Sequence, residues 1–123
     1  TADISTLIRK ITSEEAENPN LVKCIVDCNG FAMYFSRSKI PFERNIGKAD
    51  FYGHLGIYGY KRDALIKMTE LPQSTYEQAE SLEQLRALQN GMKIKTSVVD
   101  FVPVGIDTAE DLEHFKAIVA KSV

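Results

Sequence analysis

The chain has 123 residues, 44% of them hydrophobic and 26% charged, with a formal net charge of −2. This is the composition of one ordinary globular domain with apolar side chains enough for a single core. The slightly acidic balance, without a basic stripe, argues against a nucleic-acid or anionic-membrane partner, because nothing supplies a phosphate-binding field. No apolar run nears the roughly 20 residues of a membrane span, and no signal-peptide pattern opens the chain, so a cytoplasmic location is expected.

In chain order, Ser5-Thr6-Leu7-Ile8-Arg9-Lys10-Ile11 predicts a short strand. Residues 12–19 predict a polar loop or a single helical turn. Residues 21–27 alternate apolar and polar, as a half-buried strand does. Asn29-Gly30 predicts a hairpin turn, since both residues tolerate positive φ, and residues 31–36 form the return strand. Cys24 and Cys28, spaced C-x3-C beside that turn, are expected to be reduced structural thiols.

Ile40-Pro41 then interrupts the sheet pattern, and residues 45–50 form a polar loop around Gly47. Residues 55–60 predict a strand broken in its packing by Gly56 and Gly59. Asp63 is placed to cap a short helix that stops before Pro72. Ser74-Thr75-Tyr76-Glu77 is a capping box. It predicts one helix over 74–91 ending at Gly91, with Ala79, Leu82, Leu85 and Leu88 inward. Residues 93–102 predict a strand. Thr108-Ala109-Glu110-Asp111 is a second capping box, opening a helix that buries Leu112, Phe115 and Val119. The expected class is α/β, a mixed sheet with flanking helices in one domain over 1–123.

A few polar residues stand where a core does not need them. Glu83 and Gln84 fall on the polar flanks of the stripe through Leu82 and Leu85. They are either a solvated helix face or a hydrogen-bonding pair offered to a polyhydroxylated ligand. His54 and Tyr58, four apart in a strand, share one face beside Gly56 and Gly59 and can form a polar wall. Arg37 and Arg44 bracket Lys39-Ile40-Pro41-Phe42; they are surface arginines or forks for an anionic group. Asp107, just before Thr108, is a helix-start aspartate or one oxygen ligand of a hard cation such as Mg²⁺. No phosphate-cradling glycine loop, nucleophile elbow or paired-histidine metal motif occurs.

Five segments together resemble CMP-Kdo synthetase, 3-deoxy-manno-octulosonate cytidylyltransferase. They are Asn18-Pro19-Asn20-Leu21-Val22-Lys23; Tyr34-Phe35-Ser36-Arg37-Ser38-Lys39-Ile40-Pro41-Phe42-Glu43-Arg44; residues 54–60; residues 81–86; and residues 102–112. The resemblance implies a nucleotide-diphospho-sugar-transferase-like (Rossmann-like) fold and transfer of CMP from CTP to Kdo, an acidic eight-carbon sugar, with pyrophosphate released. It also implies Mg²⁺ as cofactor, a homodimer and a place in lipopolysaccharide precursor activation. By the same resemblance His54, Tyr58, Glu83 and Gln84 line the Kdo pocket, Arg44 and Arg37 face its carboxylate, and Asp107 is a metal ligand. The family's Pro-Ala-Arg nucleotide loop and Gln-Gly-Asp metal segment do not occur here. The chain is therefore expected to be the C-terminal, sugar-binding and dimerisation half, inactive alone. Two alternatives are a part of a CMP-sialate-type synthetase and a non-catalytic module that self-associates through a sheet edge.

Overall fold

A computed structural model describes residues 2–100. The elements are strand β1 (Ile4–Ile11), a 3₁₀ turn (Glu15–Glu17), strands β2 (Lys23–Val26), β3 (Ala32–Ser36) and β4 (Phe51–Tyr60), helices α1 (Arg62–Glu70), α2 (Thr75–Glu80) and α3 (Gln84–Gln89), and strand β5 (Ile94–Val99). They form one five-stranded mixed sheet in the order β3-β2-β4-β1-β5. β5 runs parallel to β1 and the other pairings are antiparallel. This is the mixed α/β class expected. The predicted C-terminal helix and Asp107 lie outside the described residues.

β1 is the spine of the sheet, paired on both sides, and its residues Ile4, Ser5, Thr6, Leu7 and Ile8 are all buried. Opposite it β4 carries a bulge: Thr6 faces Tyr58 while the next residue, Leu7, faces Leu55. Two residues of β4, Gly56 and Ile57, are thus looped out. An insertion of two leaves side-chain parity intact, so His54 and Tyr58 stay on the Ile8–Thr6 face.

β4 begins earlier than its glycines suggest. Gly53 pairs with both Arg9 and Lys23. A Cβ there would meet Ile11 Cγ2 at 3.1 Å and Leu21 Cδ1 at 3.2 Å, so glycine lets three segments approach closely.

The β2–β3 hairpin leaves β4 after that single rung and crosses the sheet. Its tip meets the far edge: Phe31 bridges Lys95, and Thr96 donates to the Gly30 carbonyl through both N–H and Oγ1, each at 2.8 Å. The turn is not a two-residue loop with both residues at positive φ. Gly30 alone has positive φ, at 85°. The Asp27 carboxylate accepts from Asn29 N at 2.8 Å and Phe31 N at 2.9 Å, and the Asp27 carbonyl accepts from Gly30 N at 3.1 Å. This is a three-residue loop with glycine in the left-handed position. Between hairpin, sheet and helices lies the main core, with Ile4, Ile8, Phe35, Leu85 and Ile94 each at most 1% exposed. A smaller cluster of Ile11, Ala16 and Phe51 closes the other end.

Two helical expectations change. α1 starts at Arg62 with Lys61 as N-cap, so Asp63 lies in the first turn and makes no cap hydrogen bond. The capping box at Ser74 forms as read, but its helix ends at Ser81, which has φ 56° and ψ 47°. α3 is a separate helix. Ala79 is exposed, whereas Gln84 and Ala87 are buried with Leu82 and Leu85.

The break is held by tertiary ties. The Arg86 guanidinium grips the Glu77 carboxylate through Nε at 2.9 Å and Nη2 at 2.6 Å, and its Nη1 donates to the Met68 carbonyl at 3.1 Å. From the other side Arg37 Nε donates to the Glu80 carbonyl at 2.8 Å and Nη2 to Ser81 O at 3.3 Å. These satisfy carbonyls that a helix end leaves without partners.

Candidate functional site

The site is built on the bulged half of β4. There the His54 ring lies against Phe35 from β3, edge on with centroids 4.8 Å apart, and against Tyr58 at 5.3 Å. Tyr58 in turn leans on Tyr60 at 5.9 Å. Packing among rings removes water from the imidazole, and burial pushes its pKa from 6.5 to about 4. His54 is neutral at physiological pH. Its Nε2 lies 2.8 Å from Thr6 Oγ1, and among the described residues Nδ1 has no hydrogen-bond partner.

Tyr58 is partly buried by the same cluster, and its hydroxyl pKa is raised first by that burial and then by the charges of Tyr60 and Glu83. Tyr60 is raised by burial and by Glu83, with Arg86 opposing. Glu83 is exposed, sits at the N-cap position of α3 and makes no cap bond there. Its negative charge is near enough to both tyrosines to hold their protons on. With Gln73, Gln78, Ser81 and Leu82 it also lines an open hollow of about 410 Å³ at the α2–α3 break.

The structure brings His54 and Tyr58 into ring contact, and the charge of Glu83 is felt at Tyr58 and Tyr60. Gln84 is adjacent but is only 8% exposed, not the solvent-flanking residue expected. Within α3, Gln84 shares the face of Ala87 and Leu88, three and four positions on, and that face also packs on the core.

Arg37 departs from its expected role. Three of its donors go to main-chain carbonyls, with Pro19 O at 3.4 Å as the third, and its own N–H donates to Glu80 Oε1 at 2.9 Å. It fastens the helix break and is not a free fork for an anion. Arg44 is exposed on the loop after the cis Ile40–Pro41 peptide, lining a shallow hollow with Pro41, Phe42 and Lys48. Among the described residues no contact joins it to His54, Tyr58 or Glu83. That loop is tied down by Lys39 and Glu43, which share Ser13 Oγ at 2.7 and 2.9 Å.

Sequence reasoning missed Thr6, Phe35 and Tyr60. Thr6 had a readable signal: it is a polar residue between Ile4 and Ile8 on one face of the central strand, where a core would use an aliphatic side chain. Both cysteines are free, as expected; Cys24 is buried, its thiol pushed up to about 12, and Cys28 is exposed.

Chemically the cluster is a set of acceptors and two phenols, Tyr58 and Tyr60, beside Phe35. It suits hydroxyl groups, and it contains no nucleophile. Among the described residues no group of three or more His, Cys, Asp or Glu is placed to hold a metal ion. No helix among them is long and apolar enough to cross a membrane.

The chain is 47% identical over 124 residues to a 3-deoxy-manno-octulosonate cytidylyltransferase of Bacteroides thetaiotaomicron, covering 93% of this chain and 50% of the relative. It is 44% identical over 120 residues to the enzyme of the same name from Escherichia coli, covering 98% and 49%. A solved structure described as CMP:2-keto-3-deoxy-manno-octonic acid synthetase complexed with CTP superposes with a TM-score of 0.82 at 43% identity, over 100% of this chain and 51% of that one. The chain thus spans about half the length of the curated relatives it matches. This corrects the finer part of the resemblance: the matches establish a family and a half-length correspondence, and do not establish a C-terminal placement. The sequence profile described as cytidylyltransferase matches residues 1–94, and the chain belongs to that family.

Proposed function

We propose that the complete protein transfers CMP from CTP to Kdo and that this chain supplies residues that hold the sugar. The observation that carries the reading is the row His54–Tyr58–Tyr60 along one face of β4, whose two tyrosines also feel the charge of Glu83. The names of the two relatives given above, both of the Kdo-specific enzyme, favour this sugar over a sialate-type substrate.

In the reaction a sugar hydroxyl oxygen forms a bond to the α-phosphorus of CTP. The bond from that phosphorus to the bridging oxygen breaks, pyrophosphate leaves, and the hydroxyl proton passes to base or solvent. Such transfer depends mainly on positioning and charge neutralisation. Glu83 and His54 accept from sugar hydroxyls, Tyr58 donates or accepts, and the Phe35–His54–Tyr58 packing keeps these groups in place. Mg²⁺ is proposed as cofactor of the complete enzyme, where it would neutralise phosphate oxygens. The described residues do not supply its donor set, so no step is assigned through it. A homodimer, a cytoplasmic location and a role in lipopolysaccharide precursor supply belong to the same proposal.

The test is pyrophosphate release with CTP, Kdo and Mg²⁺. The complete protein should turn over, and the 123-residue chain alone should not, because it carries no nucleotide loop. Robust turnover by the isolated chain would refute this division of labour.

A further inference from the structure

We propose that Thr6 is a positioning residue: it fixes His54 as the neutral Nε2–H tautomer, so that His54 meets its ligand only as an acceptor, through Nδ1. The role given to the ligand rests on the sugar-binding reading above; the tautomer does not.

The argument is a proton count. Thr6 Oγ1 has one proton and three neighbours: the Ile57 carbonyl at 2.7 Å, the Leu55 carbonyl at 3.4 Å and His54 Nε2 at 2.8 Å. A carbonyl oxygen can only accept, so the short contact to Ile57 takes the hydroxyl proton. Thr6 then offers a lone pair to Nε2, and a hydrogen bond at that distance requires the proton to be on Nε2. A neutral imidazole has a single N–H, which leaves Nδ1 bare. The bulge makes this possible. Looping out Gly56 and Ile57 keeps Tyr58 opposite Thr6 and brings the Ile57 carbonyl onto the hydroxyl. Thr6 is 1% exposed, so water does not compete for these bonds.

The consequence is selectivity. A bare Nδ1 accepts from a hydroxyl and repels a carboxylate or carbonyl oxygen, which has no proton to give. His54 would therefore read a sugar hydroxyl and turn the ligand's carboxylate elsewhere.

The test is nitrogen-15 NMR of the imidazoles in the complete protein, with the His54 signals assigned as those absent from His54→Asn. At neutral pH, Nε2 should show a pyrrole-type shift and Nδ1 a pyridine-type shift, and Nδ1 should move upfield when Kdo is added. In Thr6→Val the two shifts should move toward each other, as a ring sampling both tautomers requires, and Kdo affinity should fall about tenfold, the worth of one well-placed hydrogen bond. Thr6→Ser should restore both. A protonated Nδ1 in the parent protein, or unchanged nitrogen shifts in Thr6→Val, overturns the proposal. An Nδ1 shift that stays fixed while Kdo binds also overturns it. Failure of Kdo to bind at all, with the tautomer as described, counts against the sugar-binding reading alone.

Discussion

Replacing Arg86 by methionine should destabilise the fold by about 2–3 kcal/mol. The Glu77 and Arg86 side chains are 8% and 14% exposed. Breaking a buried pair from one side costs roughly 3–5 kcal/mol, and an exposed pair is worth about 0–1. This pair lies just under the surface, and Glu77 Oε1 keeps its bond from Ser74 N at 2.9 Å after Arg86 is gone, so an intermediate cost is expected. The Glu77→Gln, Arg86→Met double variant should recover part of the loss, since an amide can be buried more cheaply than an unpaired carboxylate. The pH dependence follows from Glu77, whose pKa is held below 4.5 chiefly by the hydrogen bonds from Arg86, with burial opposing. A depressed carboxyl stabilises the fold above its unfolded value and loses that contribution as pH falls through the folded value. Urea unfolding at pH 7 should show the full difference between parent and Arg86→Met, and the gap should narrow below pH 4.5. A difference under about 0.5 kcal/mol at pH 7, or a gap indifferent to pH, would refute the reasoning.

His54 should make the fold acid-sensitive. Its pKa falls from 6.5 to about 4 on folding, so the unfolded chain binds the extra proton between those values and stability drops as pH falls through that window. The loss reaches at most about 3 kcal/mol, and His54→Asn should flatten the unfolding free energy over the same range. Ser81→Gly should stabilise by up to about 1 kcal/mol, because φ at this residue is 56° and glycine carries no left-handed penalty; a lower melting temperature would contradict it. Phe35→Ala should cost about 3–5 kcal/mol, and His54 titration followed by NMR should move upward toward 6.5 as water reaches the ring.

Features fixed by short-range chemistry were legible in the sequence. The capping box at Ser74, the glycine-bearing hairpin and the pairing of His54 with Tyr58 on one strand face all depend on neighbours a few positions apart. What escaped depends on distant partners. Nothing local ends a helix at Ser81; Arg37 and Arg86, reaching in from either side, make the break worth its backbone cost. Gln84 lies in the core and Glu83 outside, because α3 packs through more of its circumference than its leucines mark. Gly53 lowered the strand signal of residues 51–54, yet its missing side chain is what admits Ile11 and Leu21. Arg37 read as an anion fork because its sequence neighbours suit one, while its actual partners are carbonyls of Pro19, Glu80 and Ser81.

The central claim, that this chain holds the sugar and not the nucleotide, is tested most directly by steady-state kinetics of Glu83→Gln in the complete protein. Glu83 is exposed and lacks a cap bond, so the fold should survive the change. The apparent KM for Kdo should rise about tenfold, as the loss of a charge-assisted hydrogen bond predicts, with the KM for CTP unchanged. A raised KM for CTP beside an unaltered KM for Kdo would contradict the account.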